Sequence, residues 1–172
     1  MVKKDYFADR ATDWDVDKRI RMADRYVNEV LKHIEIEQHW KALEVGAGTG
    51  LVGLKFLPRL SSIVFEDTSD AMLAVLQEKL SRYKIRNAEI VCGETTDYVR
   101  KDIDFVISNM AFHHIEDIKS LVAHLFAIAR QRAIVAIGDI RAEDGSFHYY
   151  KPIPHKGFDT NKLVSVFEES GF

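Results

Sequence analysis

The chain has 172 residues, of which 47% are hydrophobic and 30% are charged, a balance typical of one soluble globular domain. Its formal net charge of −3 and the lack of a basic stripe give no electrostatic footprint for nucleic acid. The single cysteine, Cys92, excludes an internal disulfide framework and fits a reducing compartment. Because neither a signal peptide nor an apolar run of membrane-spanning length is found, the sequence predicts a cytoplasmic protein that does not enter a membrane.

Strand and helix signals alternate along the chain after an aromatic N-terminal arm. Residues 17–36 have the periodicity of an amphipathic helix. The later helix signals lie at 51–57, 70–83, 117–129 and from Thr160, a candidate N-cap, onward. The strand signals lie at 42–45, 62–65, 89–91, 103–107 and 133–137. This order predicts an α/β fold: a doubly wound, mostly parallel, Rossmann-like sheet with helices on both faces.

A glycine-rich turn follows the first predicted strand. Residues 46–50 read Gly-Ala-Gly-Thr-Gly, so few Cβ atoms there block the approach of a ligand. The helix that follows directs free N–H groups at the same space. Because ligands of parallel sheets bind at the carboxyl ends of the strands, we expect a nucleotide-like ligand at this turn. A tight turn without any ligand is the alternative.

Acidic residues follow the second predicted strand. Glu66 and Asp67 lie about twenty residues beyond the first glycine, where a carboxylate can accept hydrogen bonds from both hydroxyls of a ribose. Asp67 is the better candidate, since Asp67, Thr68 and the predicted N-cap Ser69 directly open the following helix. The alternative is that Asp67 only complements the N-terminal dipole of that helix.

Four segments together resemble class I S-adenosylmethionine-dependent methyltransferases. They are residues 43–50 (LEVGAGTG), 67–73 (DTSDAML), 104–117 (DFVISNMAFHHIED) and the pair 157–158 with 169–172. The matches follow the order of the family's motifs and cover about residues 40–172. The resemblance therefore implies a methyltransferase for a small-molecule acceptor, with S-adenosylmethionine as cofactor and S-adenosylhomocysteine as product.

Carried over residue by residue, the resemblance implies ten cofactor-binding residues. They are Glu44, Gly46, Ala47, Gly48, Asp67, Thr68, Met72, Glu94, Asn109 and Met110. The glycine turn would approach the methionyl part of the cofactor, and Glu44 would support the turn or the cofactor's amino group. The backbone of Asn109 and Met110 would close the methionine side.

The same resemblance assigns the adenosine side of the cofactor. Asp67 would hold the ribose hydroxyls, while Thr68 and Met72 would flank the adenine. Glu94 would lie near the adenine amino group. For Met72 the alternative is a purely structural core residue, and for Glu94 it is a solvated turn residue.

Catalytic residues are less clearly indicated. Methyl transfer from a sulfonium is an in-line displacement, for which much of the enzyme's task is to hold the acceptor in position. A general base helps only when the acceptor must lose a proton. The candidate bases are His113, His114 and His155, with His148 in the same loop as His155, and a structural role is the alternative for each. These histidines lack the tight spacing of metal ligands, so no metal site is predicted.

The chain is interpreted as a single methyltransferase-like domain over residues 1–172. Residues 1–36 form an arm and a first helix, and residues 40–172 form the cofactor-binding core. In many relatives such a segment covers the site and contributes to acceptor selection. Tyr6 and Trp14 would then line an apolar acceptor pocket, or they would only pin the first helix to the sheet. Our hypothesis is that the segment is a lid.

The end of the chain departs from the pattern that the resemblance leads us to expect. The family's turn before the fifth strand is usually Pro-Gly-Gly-like, whereas residues 129–133 read Ala-Arg-Gln-Arg-Ala. The family sheet usually has seven strands, and this sequence stops at Phe172, where the sixth should begin. The expectation is a sheet without its last two strands in a chain truncated after Phe172. An exposed edge on the fifth strand would favour a homo-oligomer.

Other functions remain as alternatives. Residues 48–53 together with Asp67 fit the dinucleotide pattern of an NAD(P)-dependent oxidoreductase. Missing strands would favour a non-catalytic S-adenosylmethionine-binding or interaction module. A nucleic-acid acceptor is disfavoured, because residues 108–111 read Ser-Asn-Met-Ala where base-amine methyltransferases usually have Asn/Asp-Pro-Pro-aromatic. A protein acceptor stays an alternative, and the residues do not identify the acceptor.

Overall fold

The computed structural model describes residues 5–142 and 153–172, which form five strands and five α-helices joined by turns and short 3-10 helices. The strands are β1 (Lys41–Val45), β2 (Ser62–Asp67), β3 (Ala88–Cys92), β4 (Ile103–Asn109) and β5 (Ala129–Gly138). The helices are α1 (Asp17–His33), α2 (Gly53–Phe56), α3 (Asp70–Arg82), α4 (Ile118–Ile128) and α5 (Thr160–Ser170).

The five strands form one parallel sheet in the order β3-β2-β1-β4-β5. The chain moves outward from β1 to β3 on one side and then returns to build β4 and β5 on the other side. The order therefore reverses between β1 and β4, and this switch point is where ligands of such sheets bind. The predicted doubly wound α/β sheet is confirmed. Within residues 5–142 and 153–172, no antiparallel strand follows β5.

Helices cover both faces of the sheet because successive strand residues point to opposite sides. Ala42 packs into a cluster with α1, α2 and α3, whereas its neighbour Leu43 packs into a second cluster built largely from α4. The same alternation places Phe105 in the first cluster and Val106 in the second. All four side chains are fully buried, which is why the strands read in the sequence as nearly continuous apolar runs.

One of the two predicted helix caps is confirmed and the other is wrong. The Ser69 side chain accepts a hydrogen bond from the Met72 N–H at 3.3 Å at the start of α3. At α5 the cap is Asp159, whose carboxylate accepts from the Lys162 N–H at 3.0 Å, and Thr160 is the first helical residue. Both residue types favour the N-cap position, so the sequence pattern alone did not separate the two neighbours.

Strand β5 begins four residues earlier than the sequence predicts. Residues Arg130–Arg132 are polar and exposed, so they carry no signal of a buried strand. Arg130 nevertheless donates to the carboxylate of Asp104 on β4, with a distance of 3.0 Å between its Nη1 atom and the Oδ2 atom of Asp104. Arg132 has a positive φ of 67°, and the pairing between β4 and β5 shifts register at this point. The irregularity lies where the family usually has a Pro-Gly-Gly-like turn, which the sequence of this chain lacks.

Candidate cofactor and active site

A cavity of about 440 Å³ lies at the carboxyl ends of β1, β2 and β4. Its volume falls within the range of small-molecule sites, roughly 300–1,000 Å³. All ten residues that the resemblance assigns to the cofactor line this one cavity: Glu44, Gly46, Ala47, Gly48, Asp67, Thr68, Met72, Glu94, Asn109 and Met110. The turns that follow separate strands therefore meet at one site, as the topology requires, while the role of each residue stays a prediction.

The glycine turn forms a concave backbone surface. Gly46 and Gly48 have φ angles of 69° and 54°, in the left-handed region that disfavours other residues. A Cβ atom on Gly46 would overlap the Ala111 side chain, so this glycine lets the turn pack against the end of β4. A Cβ atom on Gly48 would approach only the Met72 methyl group, at 3.8 Å, and would otherwise occupy the cavity. The turn thus leaves room for a ligand close to its backbone.

The Asp67 carboxylate links the glycine turn to the start of α3. Its Oδ2 atom accepts from the Gly48 N–H at 2.7 Å, and its Oδ1 atom accepts from the Ser69 N–H at 2.8 Å. Because each carboxylate oxygen has two acceptor sites, both oxygens can still accept a further hydrogen bond. The residue that the sequence assigns to a ribose is therefore held rigidly and keeps acceptor capacity for two vicinal hydroxyls.

Two buried glutamates lie beside Asp67 in the cavity wall. Glu44 is 2% exposed and accepts at 3.0 Å from the N–H of Gly53, the first residue of α2, while its role toward the cofactor stays a prediction. Glu66 is 3% exposed and accepts from the Thr95 hydroxyl at 2.5 Å. Burial raises the pKa of each glutamate to about 8, and it also raises the pKa of Asp67.

The fourth strand ends in a strained turn at the cavity. Met110 has a positive φ of 62°, which is uncommon for a residue with a side chain and costs about 1–3 kcal/mol. Its N–H donates to the Gly138 carbonyl at 2.7 Å, which fixes the turn against the end of β5. Glu94 also lines the cavity, as the N-cap of a 3-10 helix at Thr95–Asp97.

Of the three candidate bases, the cavity wall includes His114 alone. His113 is 1% exposed, and its Nδ1 atom lies 2.6 Å from the Asp139 carboxylate, so its ring is fixed inside the protein. The His114 ring packs against the His113 ring at 4.0 Å and the Phe7 ring at 5.5 Å. His155 lies outside the cavity wall, with Nε2 at 3.3 Å from the Glu116 carbonyl. His148 lies outside the described residues.

The N-terminal arm forms part of the cavity wall. Trp14 lines the cavity as expected, but Tyr6 is 58% exposed and does not line it. Its neighbour Phe7 occupies that position instead, with its ring at 5.7 Å from the Trp14 ring in an edge-to-face arrangement. The apolar pattern of the arm did not distinguish the two adjacent aromatic residues.

Two aspartates fasten the arm to the cofactor side of the cavity. The Asp5 carboxylate accepts from the Ser69 hydroxyl at 2.7 Å. The Asp15 carboxylate accepts from the Thr49 hydroxyl in the glycine turn at 2.5 Å and forms an ion pair with Lys79 on α3, also at 2.5 Å. These contacts were missed in the sequence, where Asp15 and Lys79 resemble ordinary surface charges. They join the arm to both elements that surround Asp67.

Among the residues that the structure describes, no group of three or more histidine, cysteine or acidic side chains is arranged to hold a metal ion. The helices in that part of the chain are all too short or too polar to cross a membrane.

Comparison with known proteins gives the same class. A family model described as a methyltransferase domain matches residues 43–135. Over 159 residues the chain is 25% identical to an uncharacterized methyltransferase of Schizosaccharomyces pombe. The matched region covers 78% of this chain and 56% of that protein. Over 110 residues it is 34% identical to malonyl-(acyl-carrier protein) O-methyltransferase 1 of Ilyobacter polytropus. This second matched region covers 62% of this chain and 39% of that protein.

The fold has solved counterparts. A SAM-dependent methyltransferase from Aquifex aeolicus superposes with a TM-score of 0.76 at 21% identity, covering 98% of this chain and 89% of that chain. The family match spans more than half of the sequence, so the chain belongs to the methyltransferase-domain family. The predicted class, a class I S-adenosylmethionine-dependent methyltransferase, is confirmed. The chain spans only 56% and 39% of the two sequence relatives' lengths.

The raised pKa of Glu44 predicts how stability depends on pH. A carboxyl group whose pKa rises from 4.5 to about 8 on folding stabilises the fold at low pH, and this contribution is lost as pH rises through that window. We expect the thermal midpoint to fall between pH 4.5 and about 8, and Glu44→Gln to flatten part of the fall while still accepting from the Gly53 N–H. The exposed Glu78→Gln is the control. If the thermal midpoints of wild type and Glu44→Gln changed with pH in parallel, a raised pKa of Glu44 would be contradicted.

Proposed function

We propose that the chain binds S-adenosylmethionine in this cavity and transfers the methyl group to a small-molecule acceptor by in-line displacement. The observation that carries the proposal is the meeting of all ten implied cofactor residues at one cavity. The cofactor supplies a methyl group activated by a positively charged sulfur. The chain's own residues then have to bind the cofactor, orient the acceptor and exclude water.

The two sides of the cavity support different parts of this task. On one side, the glycine turn and the Asp67 carboxylate fit a nucleoside with free ribose hydroxyls. The Glu44 and Glu66 carboxyl groups in the same wall would ionise more readily beside a positively charged ligand. On the other side, Phe7, Trp14 and Leu121 provide an apolar surface for an acceptor.

His114 is the residue proposed to take a proton when the acceptor must lose one. Of the three candidate bases it alone lines the cavity, between the arm and β4. His113 then acts as a positioning residue, because its ring packs on His114 and is itself held by Asp139. An acceptor that is already anionic would need no base.

The small-molecule acceptor is supported by the enclosure of the site. The arm forms part of the wall and is fastened to the glycine turn, which favours an acceptor small enough to enter a cavity of about 440 Å³. Among the described residues that line this cavity there is one arginine and no lysine, so a polyanionic nucleic acid has little to bind.

The first experiment is a thermal-shift comparison of S-adenosylmethionine, S-adenosylhomocysteine, NAD and NADP with the purified chain. We expect both S-adenosyl compounds to raise the thermal midpoint, because ligands that bind only the folded state stabilise it. Stabilisation by NAD or NADP alone would support the oxidoreductase alternative. No shift with any of the four would contradict the proposed function and favour an interaction module.

The proposed role of Asp67 in binding the ribose hydroxyls can be tested separately from its hydrogen bonds to the turn. Asp67→Asn should weaken cofactor binding by about 1–3 kcal/mol, because an acceptor of the ribose hydroxyls is lost. Calorimetry with adenosine and 2′-deoxyadenosine then isolates the hydroxyl contact: wild type should prefer adenosine, and Asp67→Asn should lose that preference. The neighbouring, exposed Asp70→Asn serves as the matched control. A variant that kept the full preference for adenosine would exclude the ribose role.

The lid hypothesis gives a third measurement. Asp15→Ala removes the contacts of the arm with Thr49 and Lys79, so cofactor affinity should fall roughly two- to tenfold, with faster dissociation. Deleting residues 1–16 should weaken binding further while leaving the fold intact by circular dichroism. Asp13→Ala, an exposed position in the same arm, is the control. Unchanged affinity in the deletion variant would show that the arm is not a lid.

A further inference from the structure

Glu66 is a buried acidic residue of the cavity wall that is not among the residues the resemblance assigns to the cofactor. Its carboxyl group accepts from the Thr95 hydroxyl at 2.5 Å. Thr95 is buried as well, so neither group can exchange this hydrogen bond for one to bulk water. Because a buried polar group without a partner is costly, the pair holds the end of β2 at a fixed distance from the turn after β3.

Thr95 lies in the turn that is assigned to the adenine. Thr95 and Thr96 line the cavity together with Glu94, the residue that the resemblance places near the adenine amino group. The start of this turn is joined to β2 by the Gly93 N–H, which donates to the Asp67 carbonyl at 3.0 Å. Further along the turn, the hydrogen bond from Thr95 to Glu66 joins it to β2 a second time.

The backbone of Glu66 contacts the glycine turn on the other side of β2. Its carbonyl accepts from the Ala47 N–H at 2.8 Å, beside the hydrogen bond from the Gly48 N–H to the Asp67 carboxylate. Glu66 therefore contacts the glycine turn through its backbone and the adenine turn through its side chain. Its neighbour in the chain is Asp67, the residue assigned to the ribose.

The protonation state of Glu66 suits this position. Burial and the negative charges of Asp67 and Glu94 raise the pKa of Glu66 to about 8. Near neutral pH its carboxyl group is therefore largely uncharged, so it can accept from Thr95 without adding a full negative charge beside Asp67. A glutamine at this position reproduces the uncharged state and keeps an acceptor for the Thr95 hydroxyl.

We propose that Glu66 and Thr95 are a positioning pair that holds the adenine turn against the end of β2 and so determines the preference of the site for an adenine base. The proposal rests on the proposed function, because it assumes that an S-adenosyl ligand occupies the cavity. The turn can hydrogen-bond the edge of the base only while it stays at a fixed distance from the ribose site. A site built on such hydrogen bonds rejects a base that lacks the matching groups.

The test compares two ligands that differ only in the base: S-adenosylhomocysteine and S-inosylhomocysteine, in which a carbonyl group replaces the adenine amino group. Their dissociation constants are measured by calorimetry for wild type, Glu66→Met, Thr95→Val, the double variant, and the conservative variants Glu66→Gln and Thr95→Ser. Thr160→Val is the matched control, since Thr160 is exposed and lies outside the cavity wall. Thermal midpoints identify any variant that fails to fold.

We expect wild type to prefer S-adenosylhomocysteine, and Glu66→Met and Thr95→Val each to reduce that preference roughly three- to tenfold. The double variant should lose no more than either single variant, because all three remove the same hydrogen bond. Glu66→Gln and Thr95→Ser should keep most of the preference, since each retains that hydrogen bond.

Three results would overturn the proposal while leaving the proposed function intact. The first is a wild type that binds both ligands equally well. The second is an equal loss for both ligands in a folded Thr95→Val variant, which would assign the pair to the stability of the fold. The third is a preference for adenine that stays unchanged in that variant. A wild type that binds neither ligand would instead contradict the proposed function itself.

Discussion

The site depends on the hydrogen bonds that the Asp67 carboxylate accepts from two separate turns. Gly48 belongs to the turn after β1 and Ser69 to the cap of α3, and one side chain at the end of β2 holds both. The parallel pairing of β1 with β2 brings these elements to the same edge, and the carboxylate then fixes their spacing. The cradle proposed for a nucleoside is thus a product of sheet register and one partly buried acidic residue.

The two halves of the cavity are built in different ways. The wall assigned to the cofactor consists of strand ends and tight turns, whose positions are fixed by backbone pairing across the sheet. The opposite wall is formed largely by the arm and by residues after β4, and the arm is attached through side chains such as Asp15 and Asp5. The arm is therefore held by side-chain contacts rather than by the backbone pairing that fixes the strand ends.

The sequence predicted the sheet and the cofactor wall because both depend on local patterns. Apolar runs give the strands, and glycines or acidic residues directly after them give the turns. It did not predict the contacts made by the arm. Phe7 lines the cavity and Tyr6 does not, and Arg19 on α1 lines it as well. These positions depend on how the arm and α1 pack against the glycine turn, and no short sequence pattern encodes that packing. The charged start of β5 was missed for the same reason, since Arg130 is stabilised by Asp104 from a neighbouring strand.

The charges of the cavity connect ligand binding to the cost of burying carboxyl groups. Glu44 and Glu66 have pKa values of about 8, so near neutral pH both are largely protonated and cost little to bury. A positively charged ligand would favour their ionised forms, whereas a carboxylate on the same ligand would be repelled by them. Arg19 is the one arginine or lysine among the described residues that line this cavity, and its guanidinium carbon lies 3.7 Å from the centre of the Trp14 ring. The arginine charge of the wall therefore lies on the side that α1 and the arm form.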